Sequence, residues 1–339
     1  MTLKGQKNHY NIKFLKGYGH SISVKDSKII LKDCHDPFSQ PTTEEWFVKN
    51  MPYSKIVLSG NGYISTEALS ILSQNNRHVI LVDNHGKPVT FCHSMMDSLT
   101  ATKYRMAQYD AFRDDSKRAY LAKQILCSKK ESQLKLLKLI GSDVESLPEK
   151  EHLASKIYFK EFAKGIPKKY EFYSRNQSFI RTSKNNATDI INGLLNYGYS
   201  VLAGEISKFV CGIGLDPYFG FMHKSHTGFQ PLVYDLIEPF RWLVDYSIFK
   251  IANHPDSRNR IKLNEIAYTR DGNVVMEYSL IKRFLELLER NFVKERRYVF
   301  RHGAKTKDGL KSVQEITVAR IMVQNLAEYC TGKQKEFRI

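Results

Sequence analysis

The hydrophobic periodicity of this chain changes once, near residue 97, and that change restricts it to an architecture of two unlike parts. Before the change, short runs rich in Val, Ile and Leu alternate with turn residues. "HSISVKDSKIILK" reads as two strands around a Lys-Asp-Ser turn, and "YSKIVLSGNGYIS" as a strand ending in Gly-Asn-Gly. Ser65 stands where a helix N-cap would, ahead of "TEALSILSQNN". "RHVILVDNHGKPVTF" gives two strands around an Asn-His-Gly-Lys turn. After the change, apolar residues recur every three or four positions. The long run "SKRAYLAKQILCSKKESQLKLLKLIG" is the clearest amphipathic helix, and further helices follow at "KEHLASKIYFKEFAKGI", "ATDIINGLLNYGYSVLAGEISKFVCGIG", "EPFRWLVDYSIFKIAN", "EYSLIKRFLELLERNFV" and "SVQEITVARIMVQNLAEYC". The fold class expected is therefore α+β and multi-domain: a small β-rich domain over residues 1–95, then a larger all-α domain over 96–339, with the boundary inside 90–103. A length of 339 residues agrees with two domains of ordinary size.

Charge divides along the same line. Lys and Arg number 52 against 35 Asp and Glu, a net +17. Residues 1–100 hold only +3 of it, and the helical remainder holds +14. An excess of this size on one part calls for a polyanionic partner. The five cysteines, Cys34, Cys92, Cys127, Cys211 and Cys330, are scattered and form no Cys-x-x-Cys pair. A disulfide framework and a structural zinc site are both disfavoured, and a reducing, cytoplasmic setting is expected. The adjacent pairs Cys34-His35 and Cys92-His93 lack zinc spacing. The N-terminus has no apolar signal core, and no run approaches the ~20 apolar residues of a membrane span, so no membrane partner is expected.

Certain polar residues interrupt the apolar pattern. In "IINGLLNYGYSVLAGEISKF", at about 100° per residue, Glu205 lies about 20° from Leu194 and about 40° from Ile191 and Val201. It points down the apolar stripe. A buried salt bridge with Arg175 or Arg181 would explain this, and so would a functional site. In "GFMHKSHTGFQPLVYDLIEPFR", His223, Asp235 and Glu238 stand among Phe, Leu, Val and Ile. His226 competes with His223 for any role. Asp235 and Glu238 share a face if their segment is helical. Pro239 favours a kink or a turn there as readily as a regular helix. A Glu, a His and a further acid form a mixed N/O donor set suited to Mg2+ or Mn2+, the imidazole tilting it towards manganese.

"NGLLNYGYSVLAGE", "GLDPYFGFMH" and "LVYDLIEPFRWLVD", in that order, resemble the CRISPR-associated adaptation integrase, the metal-dependent member of the spacer-acquisition pair. "KIVLSGNGYISTEALSILSQNNRHVILVDNHGKPV" is similar to that family's β domain, and "KYRMAQYDAF" to the start of its helical domain. The resemblance runs over nearly the whole chain. One stretch departs from it: "TSKNNATD" stands where the family often has a proline-rich run.

The resemblance implies a metal-dependent DNA integrase and endonuclease that inserts spacer DNA into a CRISPR array by 3′-hydroxyl transesterification. It implies metal ligands at Glu205, His223 and Glu238, with Asp235 as a nearby catalytic acid that binds a second ion or orients the first. Asn192 and Tyr197 fall at supporting positions. It further implies double-stranded and branched DNA as partners, a homodimer through the β domains, and a heterocomplex with the small second adaptation protein. Arg241, Lys250, Arg258, Arg260, Lys168, Lys169 and Arg175 are candidates for binding phosphate, with Tyr170, Phe172, Tyr173 and Phe179 interleaved near the last three as candidates for base stacking. The nearest alternative is a casposase, a transposon integrase with the same ligands that commonly carries a helix-turn-helix after the catalytic domain. Little chain is left for one after "LAEYCTGKQKEFRI". A non-catalytic DNA-binding subunit, with Glu205 and His223 structural, is the alternative from another class.

Overall fold

The structure is a computed structural model that describes residues 12–33, 41–53, 55–75, 77–82, 88–92, 98–175, 187–223, 230–299 and 310–339. It divides into two compact units, Met1–Lys103 and Tyr104–Ile339.

The first unit is a mixed six-stranded sheet with one helix. Its strands are β1 (Ile12–Lys25), β2 (Lys28–Asp33), β3 (Thr42–Trp46), β4 (Lys55–Ile64), β5 (His78–Val82) and β6 (Pro88–Cys92), in the spatial order β3-β2-β1-β4-β5-β6. The Lys-Asp-Ser turn forms as the sequence suggests. Asp26 and Ser27 both take positive φ, 50° and 60°, the left-handed geometry that a two-residue hairpin requires. Alternation along β2 sends Ile29 and Leu31 to the same buried face as Leu15, Ile22, Ile56, Leu58 and Val79. Helix α1 (Thr66–Gln74) covers that face with Ala68 and Leu72, and the Ser65 hydroxyl caps it by accepting the Ala68 N–H. The Asn-His-Gly-Lys turn, His35, His93 and Cys34 lie outside the described residues.

Strand β4 does not stop at Gly-Asn-Gly. It runs through Gly60-Asn61-Gly62 to Ile64, paired in parallel with β1 across a bulge at Tyr18/His20. The glycines permit this rather than end it. Gly60 has φ +95°, and a Cβ there would fall 2.5 Å from the Gly17 carbonyl oxygen.

The second unit is helical: α2 (Ser98–Arg113), within which the boundary falls, then α3 (Asp115–Leu139), α4 (Glu151–Lys164), α5 (Ile190–Ile213), α6 (Pro231–Ile237), α7 (Arg241–Ala252), α8 (Tyr278–Phe292) and α9 (Glu315–Cys330). Helix α5 is its axis and packs on α6, α7 and α9. The Asp189 carboxylate caps α5 at one end, and Gly214 closes it at φ +99°. Two small hairpins accompany the helices: β7 (Ile266–Tyr268) with β8 (Val274–Met276), and β9 (Glu295–Val299) with β10 (Leu310–Gln314). Sequence periodicity does not show them, because strands of three to five residues are too short for alternation to be read. Ser312, Val313 and Gln314, read as the start of a helix, belong to β10. At Pro239 the α-helical pattern is interrupted: a 3-10 turn, Glu238–Phe240, joins α6 to α7. Among the described residues, no helix is long and apolar enough to cross a membrane.

Gly60→Ala forces a non-glycine residue into positive φ against a backbone oxygen, a strain of about 1–3 kcal/mol. Native-state hydrogen exchange should show roughly 10- to 100-fold faster exchange of β1 and β4 amides. Unchanged protection would contradict this account of the strand pair.

Candidate metal centre

Asp235 is fully buried on α6, and its carboxylate is saturated with donors. The backbone N–H groups of Phe221 and Met222 donate to Oδ2 at 2.8 and 3.0 Å, and that of His223 donates to Oδ1 at 3.0 Å. His223 Nδ1 lies 2.6 Å from Oδ1. The preceding chain passes so close that a Cβ on Gly220 would sit 2.7 Å from Oδ2. A carboxylate only accepts, so Nδ1 carries the proton, and in the neutral imidazole Nε2 is the nitrogen with a lone pair. Carboxylates orient metal-binding imidazoles in this way. With about four acceptor sites and four donors, Asp235 has no lone pair to spare for a second ion. Of the two roles open to it, the geometry fits orientation. His226 lies outside the described residues.

Glu238 begins the 3-10 turn after α6 and is 4% exposed. Arg241 Nη2 stands 3.0 Å from Oε1, and Lys129 Nζ of α3 stands 2.8 Å from Oε2. Burial alone would push this carboxyl up. Arg241 and Lys129, with His223 adding to them, outweigh burial and hold it below the ordinary carboxylate range. Lys129 aligns its hydrogen bond on Glu151 Oε1, at 2.7 Å. Glu238 Oε2 is thus buried beside a cation with no aligned donor. Glu205 is buried on α5, as its helical phase predicts, with Lys208 Nζ 3.6 Å from its Oε2. Arg175, weighed above as its partner, is engaged elsewhere, and Arg181 lies outside the described residues.

Two buried carboxylates and an imidazole protonated on Nδ1 fit a hard or borderline divalent cation in donor type. The buried, unaligned Glu238 Oε2 fits a cation in place, since an ammonium already stands there as a monovalent substitute. Among the described residues, no three His, Cys, Asp or Glu side chains are gathered closely enough to hold a metal. His223, Asp235 and Glu238 form one neighbourhood; Glu205 stands on α5 beside Lys208.

Behind Glu238 lies a polar layer. Arg241 stacks on the Tyr199 ring, 4.7 Å from its centroid. The Tyr199 and Tyr158 hydroxyls each donate at 2.6 Å to Asp245, which is buried on α7. Burial pushes the Asp245 carboxyl up to about 6, although both hydroxyls, Arg241 and Arg175 oppose it. Arg175 is used internally. It donates to Asn192 Oδ1 at 2.8 Å and to Asn196 Oδ1 at 2.6 Å, and stacks over Tyr199. Asn192 links it onward to Ser174 and Asp189. Tyr197 sits on another side of α5 against Phe284, its hydroxyl pushed up to about 12 by burial and by Tyr278. The tyrosine that reaches this layer is Tyr199, two residues and about 200° further round the helix.

Among the candidate phosphate binders, Lys168, Lys169 and Arg258 are exposed, and Arg258 pairs with Asp256. Arg260 donates to the His254 and Pro255 carbonyls, and Lys250 to Asn291. Tyr170 and Phe172 are core residues, Tyr173 is 65% exposed, and Phe179 lies outside the described residues.

Lys129, Glu151, Tyr158, Tyr199 and Asp245 escaped the sequence reading. Lys129 was within reach of it. Leu121, Ile125, Lys129, Gln133 and Leu137 form one row of α3 at four-residue spacing, so Lys129 interrupts an apolar stripe as Glu205 does.

A sheet unit followed by a helical unit is also the fold of solved Cas1 and casposase structures. A family model described as CRISPR associated protein Cas1 matches residues 14–146 and 139–290, and the chain belongs to that family. The CRISPR-associated endonuclease Cas1 1 of Archaeoglobus fulgidus is 27% identical over 277 residues, covering 70% of this chain and 77% of its own. Among solved structures, a casposase bound to integration product superposes with TM-score 0.79 at 24% identity, over 96% of this chain and 92% of its own. A Cas6-RT-Cas1–Cas2 complex gives TM-score 0.69 at 17% identity, over 98% of this chain and 36% of that one.

Because the Asp245 carboxyl is raised in the folded protein, the native state holds its proton more tightly than the unfolded state. Its favourable contribution is present near pH 4 and is lost as pH rises towards 6. Relative to Asp245→Asn, which cannot titrate, wild-type stability should fall by about 2–3 kcal/mol over that window, measured by urea unfolding of the helical unit. A gap constant from pH 4 to 6 would contradict the buried-carboxyl account.

Proposed function

We propose that this chain is a divalent-metal-dependent DNA integrase and endonuclease that joins spacer DNA to a CRISPR array. The observation that carries the reading is the His223–Asp235 pair beside the buried, unaligned Glu238 oxygen. Glu205, His223 and Glu238 would hold the ion, Mg2+ or Mn2+. Bound there, such an ion lowers the pKa of an attacking hydroxyl and offsets charge on the transferring phosphoryl group.

The protein's own part is positioning. Asp235 holds the imidazole in one tautomer and one orientation. Arg241, stacked on Tyr199, fixes the Glu238 carboxylate, and the buried Asp245 layer keeps Arg241 in place. The 3′-hydroxyl of the incoming strand forms one P–O ester bond while the target's own 3′-oxygen leaves as a hydroxyl, so ester bonds are conserved and no nucleotide cofactor is consumed. Water as nucleophile makes the same site a nuclease.

The +14 excess beyond residue 100 supports double-stranded and branched DNA as substrate, with Lys168, Lys169 and Arg258 the exposed candidates for phosphate. The exposed aromatics Tyr18 and Tyr63, on β1 and β4, support pairing of two copies through the domain at 1–95. The Cas1–Cas2 complex among the structural neighbours supports a heterocomplex with the small second adaptation protein. Casposase activity is the second reading, favoured by the TM-score of 0.79, and it differs only in the DNA ends used.

Glu238→Ala is an ambiguous probe, because it would strand Lys129 and Arg241 as well as remove a ligand. His223→Ala is cleaner: the three backbone N–H groups on Asp235 remain. Strand transfer of a labelled duplex into a repeat-bearing plasmid with Mn2+ should fall by roughly 10²- to 10³-fold. Stability should change by about 1 kcal/mol, and DNA affinity in chelator should hold. Full activity in His223→Ala, or strand transfer that survives chelation, would defeat the reading. Transfer of transposon ends but not of repeat-directed spacers would favour the casposase.

A further inference from the structure

The stretch "KYRMAQYDAF" has no part in the reaction proposed above, yet its Gln108 is fully buried on α2. A buried amide is costly unless its donors and its oxygen are used. Gln108 uses all of them on one loop. Nε2 donates to the Asp216 carbonyl at 2.9 Å and to the Phe219 carbonyl at 2.8 Å, while Oε1 accepts the Asp216 N–H at 2.8 Å. The reverse amide orientation would set an acceptor against two carbonyls, so these bonds fit one orientation alone. The rest of the α2 face works on the same loop. The Tyr109 hydroxyl donates at 2.7 Å to Asp216 Oδ2, and Asp216 Oδ1 accepts the Tyr218 N–H at 2.8 Å. Phe112 packs on both Phe219 and Phe221, with ring centroids 6.0 and 5.2 Å apart.

This is the loop that presents His223. Gly220 alone separates the Phe219 carbonyl, held by Gln108, from the Phe221 N–H, the first donor to Asp235. That link has no slack, since even a Cβ on Gly220 would strike Asp235 and Pro231. A shift of the Asp216–Phe219 turn is therefore passed to the N–H groups of Phe221, Met222 and His223, and through them to the imidazole. Packing does not hold the ring independently. The His223 side chain is 37% exposed, so its direction rests on the backbone path and on the Nδ1 contact with Asp235. Asp235 holds the end of the loop and Gln108 holds its start.

We propose that Gln108 is a positioning residue for His223: one buried amide that clamps both ends of the Asp216–Phe219 turn and so fixes where the imidazole points. A metal ligand needs such support, because a displacement of even 1 Å or so weakens the site it serves. The inference rests on His223 being a metal ligand, as proposed above.

The test is Mn2+ binding to the full chain without DNA, read from the EPR signal of free Mn2+, in a cycle of Gln108→Met and His223→Ala. Gln108→Met keeps the length of the side chain and removes all three bonds. It should bind Mn2+ roughly tenfold more weakly than wild type, the low end for residues that support a metal ligand from behind. In the His223→Ala background it should change nothing. In strand transfer, the Mn2+ concentration giving half the maximal rate should rise by the same factor, and the rate at saturating Mn2+ should recover. A merely structural Gln108 would do the opposite, lowering the saturating rate through the folded fraction and leaving the midpoint in place. That result, an equal loss of affinity in both backgrounds, or an affinity unaltered by Gln108→Met would overturn the proposal. Should Gln108→Met fail to fold, Tyr109→Phe releases the same turn through Asp216 and should weaken Mn2+ binding only when His223 is present. Wild-type binding that is absent, or that ignores His223→Ala, would instead overturn the metal reading of His223, and the role of Gln108 with it.

Discussion

Asp235 carries a carboxylate into an apolar interior with no exposure to water, and the local structure of the site follows from how that group is satisfied. Three successive backbone N–H groups and one imidazole N–H fill it. To supply them, the chain before His223 must fold over the start of α6, which is why Gly220 passes where a Cβ would strike both Asp235 and Pro231. The same contacts choose the His223 tautomer. A loop histidine is thereby held in one orientation, as carboxylates hold metal-binding imidazoles.

A second group of buried charges ties that support to the rest of the helical unit. Glu238 faces Lys129 from α3 and Arg241 from its own turn, Arg241 lies on Tyr199 of α5, and Tyr199 shares Asp245 with Tyr158 of α4. Each member is compensated by the next. This is costly to assemble and gains little over an apolar core. It does fix the relative placement of α3, α4, α5 and α7 around one carboxylate, which a layer of leucines would do with less directional control.

Much of this was legible beforehand. The change of period near residue 97 marks the passage from sheet to helices, Ser65 caps α1, and Pro239 lies in the 3-10 turn between α6 and α7. Glu205 is buried as its helical phase requires. The off-pattern acids Glu205, Asp235 and Glu238 are all buried, and they drew attention because a carboxylate in an apolar stripe is expensive wherever it falls. Partners were not legible, since they come from other helices. Nothing in "GFMHKSHTGFQPLVYD" says that Asp235 spends its lone pairs on backbone amides, and nothing near Arg175 says that Asn192 and Asn196 claim it. Tyr197 and Tyr199 differ by two residues in the sequence, and only the packing of α5 decides which one faces Arg241. Gly60 and Gly62 read as a strand end for a similar reason: turn residues in one strand become bulge residues when another backbone lies against them.

The central claim is that the Asp235-oriented imidazole and the Glu238 carboxylate meet on one divalent cation. Anomalous diffraction from crystals of the full chain grown with Mn2+ measures this directly. The account predicts a single strong peak bonded to His223 Nε2 and Glu238, with Glu205 completing the protein ligands and Asp235 still bonded to Nδ1. A peak bonded to Asp235 in place of His223, or no peak there with Lys129 still on Glu238 at saturating Mn2+, would contradict it.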